Sequence, residues 1–185
     1  MNPLIAHFQL MARYNRLANE RLYDCSARLS DGERKKNRQA FFKSIHGTLN
    51  HIMVGDRNWM TRFEGGVASS SGLDAILYDG FDELRAARVR EDERIERFAA
   101  ALTEKFLDGE IAYVNNEGIK YSDPIRMLLA HLFNHQTHHR GQVHDMLSQA
   151  GVATPVLDLH RVLSAYAENA VEENGGTASR ERSTT

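Results

Sequence analysis

Cysteine, proline and long apolar runs are all scarce in this chain of 185 residues. Its single cysteine, Cys25, excludes an intrachain disulfide and is typical of a reducing compartment. No apolar stretch approaches the roughly 20 residues that a membrane-spanning helix needs. The start, Met1-Asn2-Pro3, also lacks the basic residues of a signal peptide. We therefore expect a soluble, cytoplasmic protein that does not bind a membrane.

An excess of one sign of charge is missing as well. The chain has 23 Lys and Arg residues against 25 Asp and Glu residues, and the two signs are interspersed. A nucleic-acid-binding domain usually carries a basic face, so nucleic acid is not an expected partner. The length corresponds to about one domain, which is enough to bury a real hydrophobic core.

Helical periodicity dominates the sequence. Asn2 and Pro3 suit the N-cap and the first position of a helix, and Ser30-Asp31-Gly32 predicts its end. Apolar residues recur at helical spacing in three further segments. The predicted long helices cover about residues 3–29, 38–63, 81–107 and 124–150. Between the last two, residues 110–121 change to a strand-like pattern around Asn115-Asn116-Glu117-Gly118, which predicts a short β-hairpin.

These segments predict an all-α protein: a four-helix bundle with a small β-hairpin before the last long helix. Residues 1–170 would form this one domain, with a short helical piece over about residues 157–167. Residues 171–185 are mainly Gly, Ser, Thr and charged residues, so we expect a disordered polar tail.

Four of the nine histidines lie within the nine residues from His131 to His139. On a helix, His135 and His139 stand one above the other, and His131 continues the same row one turn earlier. Two imidazoles at this spacing can both reach one metal ion. The alternative is a structural role, because buried imidazoles are often satisfied by hydrogen bonds alone. This helix by itself leaves both interpretations open.

The predicted second helix offers a third ligand. His51 lies at the border of its apolar stripe, as His135 does on the last helix, whereas His46 falls away from the centre of that stripe. If the two helices are neighbours, three imidazole nitrogens could converge. Three protein ligands with open positions are typical of a catalytic metal site, whereas structural zinc usually has four ligands.

Three sequence segments resemble the DinB family. They are Thr48-Leu49-Asn50-His51-Ile52-Met53-Val54-Gly55-Asp56-Arg57-Asn58-Trp59, Asn134-His135-Gln136-Thr137-His138-His139-Arg140-Gly141-Gln142 and, less specifically, Ala12-Arg13-Tyr14-Asn15-Arg16-Leu17-Ala18-Asn19-Glu20-Arg21-Leu22. The resemblance extends from about Leu4 to about Tyr166. It implies that His51, His135 and His139 are metal ligands, in agreement with their positions on the two helices.

The resemblance also implies an up-down-down-up bundle and a homodimer, and it does not imply binding of DNA. Family members include thiol-dependent S-transferases and an isomerase that uses a low-molecular-weight thiol. Imidazole ligands suit several transition metals, of which we expect zinc first and nickel second. A di-iron bundle would need paired Glu-x-x-His motifs, and the sequence contains none.

Two functions therefore remain open. One is a metal-dependent enzyme, of the thiol S-transferase or hydrolase type, that acts on a small-molecule substrate. The other is a non-catalytic, stress-associated bundle in which the metal only clips two helices together. No residue can be assigned as the catalytic acid or base from the sequence, although Tyr14, Asn15 and Asn19 are candidates for lining a pocket.

Asp56 and Arg140 are predicted to support the metal ligands. Asp56 falls on the apolar face of its helix, where an unpaired carboxylate is unfavourable, and Arg140 follows His139 directly. We therefore expect the two side chains to pair, or one of them to orient a ligand. The remaining candidates receive structural interpretations: Trp59 and Cys25 as buried residues, and His131 and His138 as neighbours of the ligands.

Overall fold

The computed structural model describes residues 2–69, 71–115 and 117–164. Four long helices, two short ones and a hairpin account for most of this part of the chain. In order, the elements are α1 (Pro3–Ala27), α2 (Asp31–Lys35), α3 (Ile45–Phe63), α4 (Phe81–Ala100), α5 (Glu104–Leu107), β1 (Glu110–Val114), β2 (Lys120–Pro124) and α6 (Ile125–Gln149). The predicted all-α architecture with a small hairpin is confirmed.

The N-terminal boundaries of α1 and α3 follow from side-chain capping. The Asn2 side chain accepts a hydrogen bond from the Leu4 amide, with proline at the first helical position. Ser44 caps α3 by accepting from the Gly47 amide. The prediction that this second long helix begins near residue 38 is wrong, because the chain reverses before Ser44, with positive φ angles of 59° at Gln39 and 67° at Lys43.

The sequence pattern did not predict the two short helices α2 and α5 as separate elements. Ser30 was expected to end a helix, but it also caps α2 by accepting from the Glu33 amide. The third long helix ends at Ala100 rather than near residue 107. Thr103 then caps α5, accepting from the Phe106 amide. The Thr103 hydroxyl thus begins a new helix where apolar periodicity indicated no boundary, and the Ser30 hydroxyl begins one at the predicted break.

The four long helices have the predicted up-down-down-up arrangement. Side-chain contacts show that α1 and α4 are antiparallel, α3 and α4 parallel, α3 and α6 antiparallel, and α1 and α6 parallel. In the same order, the residue pairs that establish these directions are Arg16–Glu96 with Asp24–Arg85, Asp56–Arg88 with Glu64–Arg94, His51–His139 with Trp59–His131, and Phe8–Phe133 with Asn15–Arg140. Helices α3 and α6 are therefore neighbours, as a shared metal site requires.

The apolar core fills one part of the bundle, toward the start of α1 and the hairpin. Its members are buried residues from all four long helices and from α5, among them Phe8, Met60, Ile95, Leu107, Leu129 and Leu132. The hairpin pairs β1 and β2 in antiparallel register, from Glu110 opposite Pro124 to Val114 opposite Lys120. Many of the buried polar residues, among them the histidine cluster, lie on the side of this core that faces away from the hairpin.

Beyond the bundle, the structure describes less of the chain. The compact unit Met1–Pro155 contains the bundle, and a second unit begins at Val156. Residues 159–164 are helical, in agreement with part of the predicted segment 157–167, whose last residues lie outside the described ones. The predicted domain end near residue 170 and the polar tail also lie outside them. Among the described helices, none is long and apolar enough to cross a membrane.

Candidate metal centre

The structure brings His51, His135 and His139 together between α3 and α6. Nε2 of His51 lies 3.1 Å from Nε2 of His135 and 3.1 Å from Nε2 of His139. Among the described residues, these three form the one group whose ligand atoms could hold a metal ion, and its atoms all lie within 4.8 Å of one another. Because His135 and His139 stand one turn apart on the same face of α6, a single residue of α3 can face both.

Hydrogen bonds to the far side of two rings orient their lone pairs into the cluster. Nδ1 of His51 lies 2.7 Å from the Leu73 carbonyl oxygen, which can only accept, so Nδ1 must donate. Nδ1 of His139 donates in the same way to Oε1 of Gln142, at 2.8 Å. In a neutral imidazole, the lone pair is then at Nε2. The two nitrogens therefore present lone pairs to one another, an arrangement that a cation between them stabilises.

The spacing of the nitrogens fits metal coordination. Bonds of about 2.1 Å from zinc to imidazole nitrogen, at tetrahedral angles, separate two nitrogens by about 3.4 Å. The observed separations of 3.1 Å from His51 to each partner lie close to this value. The donor set, its tautomers and its spacing together fit a divalent transition metal bound by three neutral imidazoles.

On the far side of its ring, His135 is positioned by packing rather than by a hydrogen bond. Its Nδ1 is buried and has no hydrogen-bond partner among the described residues. Gly55 lies against the ring: a Cβ at this position would stand 2.8 Å from Cε1 of His135 and 3.3 Å from Nδ1. The absence of a side chain on α3 is therefore what lets the His135 ring enter the space between the helices.

Burial keeps the histidines neutral. Desolvation, together with the neighbouring imidazoles, lowers the pKa of His135 to about 3. Desolvation likewise lowers the pKa of His139 to about 4, and it lowers the pKa of His51 although the hydrogen bond to Leu73 opposes the shift. Neutral imidazole is the form that binds a metal, so the site is suited to metal binding at neutral pH.

Phe42 covers one side of the cluster. Its ring stacks on His51 with centroids 3.6 Å apart, and its edge faces His139 at 5.6 Å. The close approach of its backbone to α3 requires a glycine, since a Cβ at Gly47 would meet the Phe42 carbonyl oxygen at 2.2 Å. The segment that was predicted to be helical thus turns back onto α3 and shields the site from water.

Asp56 and Arg140 do not form the direct pair that the sequence suggested. Asp56 accepts hydrogen bonds from Arg88 of α4 and from Nε2 of Gln136, whereas Nη1 of Arg140 donates to Oε1 of Gln136 at 3.2 Å. Gln136 therefore connects the two. Sequence reasoning missed Arg88 because the ion pair joins helices that are far apart in sequence, so no local spacing indicates it.

A buried polar network surrounds these residues. Arg140 also donates to Asn15, and the side-chain amides of Asn15 and Asn19 donate to Asp92 at 3.1 and 3.0 Å. Burial raises the pKa of Asp56 to about 7, against the effect of Arg88. Asn15 and Asn19, which were candidates for lining a pocket, thus belong to this network, and Asn19 also lines a cavity of about 310 Å³ between α1 and α4.

The other histidines and aromatic residues have separate roles. His46 is buried and its Nε2 lies 2.8 Å from the Tyr78 carbonyl oxygen, which is a structural interaction. His138 is exposed, with Nε2 3.2 Å from Nε2 of Gln142. The His131 ring lies between those of Trp59, 5.4 Å away, and His135, 5.8 Å away. Neither His131 nor His138 belongs to the converging group.

Cys25 is buried, as the sequence indicated. Its Sγ lies 3.6 Å from the carbonyl oxygen of Ala153.

Two cavities border α3, one beside the cluster and one at the C-terminal end of the helix. One, of about 590 Å³, is lined by Phe42 and Leu73, which both contact His51. The other, of about 820 Å³, lies between β1 and the loop residues 65–69 and 71–72.

The fold and the site together define a class of protein: a four-helix bundle with a three-histidine cluster between two antiparallel helices, compatible with binding a metal ion. The chain belongs to the DinB family, whose model matches residues 3–174. It is similar to Protein DinB of Bacillus subtilis (strain 168), with 28% identity over 151 residues that cover 78% of this chain and 87% of that protein. The resemblance inferred from the sequence is confirmed.

Proposed function

We propose that the protein is a metal-dependent enzyme that binds one divalent transition metal through His51, His135 and His139. Zinc is the first expected metal and nickel the second. The proposed reaction is thiol S-transfer or hydrolysis on a small-molecule substrate, with a low-molecular-weight thiol as the candidate partner. When bound in such a site, the metal would lower the pKa of a coordinated water or thiol.

One observation carries the proposal: three neutral imidazoles converge and no fourth ligand joins them among the described residues. A site of three protein ligands keeps at least one coordination position for water or substrate, whereas a closed site of four does not. Leu73 and Gln142 hold the tautomers of two ligands, and Phe42 excludes water from one side. These residues prepare the site for exchangeable ligands.

The structural alternative rests on the fact that the cluster joins α3 to α6. However, the same two helices are also joined by the Gln136–Asp56 hydrogen bond and by their packed apolar residues. A metal clip would therefore add to contacts that already exist. An enzyme would use the open coordination position of the metal as well as its three ligands, and for this reason we favour the enzyme over the structural clip.

Elemental analysis and a turnover screen test the proposal together. We expect about one metal ion per chain, lost in His51→Ala, His135→Ala and His139→Ala but retained in His144→Ala, whose ring lies 3.2 Å from the Pro155 carbonyl oxygen. Zinc- and nickel-loaded protein would then be screened with low-molecular-weight thiols and electrophilic acceptors, and with simple esters and amides. Turnover that disappears in His139→Ala supports the enzyme.

Two outcomes would count against it. Metal retained in His51→Ala would show that the metal does not bind between α3 and α6, which would contradict both the enzyme and the structural clip. Full metal occupancy without turnover in either substrate class would favour the structural clip.

A homodimer completes the proposal. We expect helices to form the dimer interface, with α1 and α6 as part of it. We also expect a cytoplasmic location. Light scattering at micromolar concentration should show a species near twice the chain mass of 21.0 kDa. A species near the chain mass alone would contradict the dimer.

A further inference from the structure

Phe42 is the side chain that covers the candidate metal centre. Its ring stacks on His51 and meets His139 edge-on. Among the ring contacts of the described residues, it is the one ring outside the cluster that reaches two of the three histidines. Phe42, His51 and His139 are all buried. A metal ion or substrate that approaches from this side must therefore displace the Phe42 ring.

The cavity of about 590 Å³ offers the ring a second position. Phe42 and Leu73 line this cavity, whereas none of the three histidines does. The contacts of these two residues with His51 therefore mark the boundary between the cavity and the cluster. The volume lies within the range of small-molecule pockets, about 300–1,000 Å³. It has room for a phenyl ring that leaves the histidines.

The turn that carries Phe42, residues 38–43, is closed by its own hydrogen bonds. The Arg38 amide donates to the Lys43 carbonyl oxygen at 2.7 Å, and the Lys43 amide donates to the Ala40 carbonyl oxygen at 2.8 Å. The Phe42 carbonyl oxygen accepts from the amide of the residue that follows the turn, at 2.7 Å. None of these three bonds reaches another helix, so the turn can move as a unit while they stay intact.

Two residues of the turn have an unfavourable backbone conformation. Gln39 and Lys43 have φ angles of 59° and 67°, in the left-handed region that residues other than glycine rarely adopt. Such conformations persist only where surrounding contacts hold them. Phe42 provides such a contact by stacking on His51, whereas the neighbouring Phe41 is 85% exposed. The turn can therefore relax at both positions when the Phe42 ring leaves the histidines.

We propose that Phe42 is the gate of the three-histidine centre. Its ring swings from the histidines into the neighbouring cavity, carried by the turn, and so admits a metal ion or a substrate. The start of the turn stays tied to α2, where Nη2 of Arg38 donates to the Glu33 carboxylate at 2.8 Å. This inference rests on the proposed function, because the gate controls access to the same centre.

The kinetics of metal exchange test the gate without requiring turnover. Zinc uptake by metal-free protein is followed in a stopped-flow instrument by the loss of a coloured zinc–chelator complex. Zinc release is followed by mixing zinc-loaded protein with excess chromophoric chelator. Phe42→Ala removes the ring, so the rate constants of uptake and release should both rise at least about tenfold. Because a gate acts alike in both directions, the affinity should change by less than about threefold.

A merely structural role for Phe42 gives a different pattern. If the ring only held His51 in place, its removal would raise the release rate alone and weaken the affinity by the same factor. Phe42→Leu keeps an apolar side chain, so its two rates should fall between those of wild type and Phe42→Ala. The matched control is Phe41→Ala, which removes an exposed ring whose one ring contact among the described residues is with Phe42. This control should exchange zinc as wild type does.

Three results would overturn the gate. They are wild-type exchange rates in Phe42→Ala, a rise in its release rate alone, and an equal acceleration of both rates in His131→Ala. The last variant removes the ring beside His135, the one ligand of the three that is not fully buried. Equal acceleration there would place the route at His135 instead of at Phe42.

Failure of the gate is distinguishable from failure of the proposed function. Phe42→Ala leaves all three histidines in place and should still bind about one zinc ion per chain. Its exchange rates therefore report on the gate, whereas the metal content of His51→Ala and the turnover screen report on the enzyme. A wild-type protein that binds no metal would contradict both.

Discussion

Replacing Gly55 by alanine should weaken metal binding while the bundle stays folded. The added Cβ would lie 2.8 Å from Cε1 and 3.3 Å from Nδ1 of His135. The ordinary van der Waals distance between carbon atoms is at least about 3.5 Å, so the imidazole must move away by about 0.7 Å. A ligand displaced by this distance no longer meets the point on which the other two nitrogens converge.

The magnitude follows from the crowding. Overpacking of this kind opposes the native geometry by about 1–3 kcal/mol, which corresponds to about a 5- to 150-fold loss of metal affinity. In the metal-free protein, the ring can move aside, and alanine is favoured over glycine in a helix by about 0.5–1 kcal/mol. The two effects oppose each other, so the free energy of unfolding without metal should change by less than about 1 kcal/mol.

Competition with a chromophoric chelator measures the affinity, and urea unfolding of the metal-free protein measures the stability. The matched control is Gly141→Ala on α6, where a Cβ would meet nothing within 4 Å. This control should keep its metal affinity and gain about 0.5–1 kcal/mol of stability. A Gly55→Ala protein that binds metal as tightly as Gly141→Ala would refute the inference that Gly55 makes room for His135.

Three other predictions follow from the same contacts. Gln142→Leu removes the acceptor of the His139 Nδ1 hydrogen bond and should lower metal affinity about 10- to 100-fold. The control Gln149→Leu breaks only an exposed hydrogen bond to Asp145 and should leave metal affinity unchanged. The same chelator competition measures both affinities. Asp56→Ala removes one of the two buried carboxylates that pair with Arg88, the other being Asp92, and should reduce the free energy of unfolding by about 1–3 kcal/mol, measured in urea; a change below about 0.5 kcal/mol would contradict the role of the Asp56–Arg88 ion pair. The folded-state pKa of about 3 at His135 lies below the unfolded value of about 6.5, so the unfolded state binds more protons between them. Metal-free wild type should therefore lose stability relative to His135→Phe as the pH falls from about 6.5 toward about 3, and parallel stability curves would show that the ring is not buried in neutral form.

Local pattern was sufficient to predict the long helices and the three histidines that form the cluster. The spacing of His135 and His139 places them in one row whatever the tertiary structure, and His51 stood out because it shares their position at the border of an apolar face. The hairpin was also predictable, since the period changes at Glu110 and a turn segment follows. These features depend on residues within a few positions of one another.

The boundaries that failed were decided by single side chains. Periodicity cannot distinguish a continuing helix from one that ends and restarts within three residues, as happens at Thr103. The turn from Arg38 to Lys43 was missed for a related reason: its apolar residues Phe41 and Phe42 fit a helix equally well. Only the contact of Phe42 with His51 shows why this segment leaves the helical conformation.

The sequence by itself determined the fold class, the family and the three histidines of the cluster, because each follows from a repeating or recognisable arrangement of residue types. Tertiary structure alone decided which partners complete the site. Leu73 acts through a backbone carbonyl, Gly55 through the absence of a side chain, and Arg88 through an ion pair across 32 positions of sequence. None of these has a signature in residue type or spacing, since each depends on which helices become neighbours and at what register they pack.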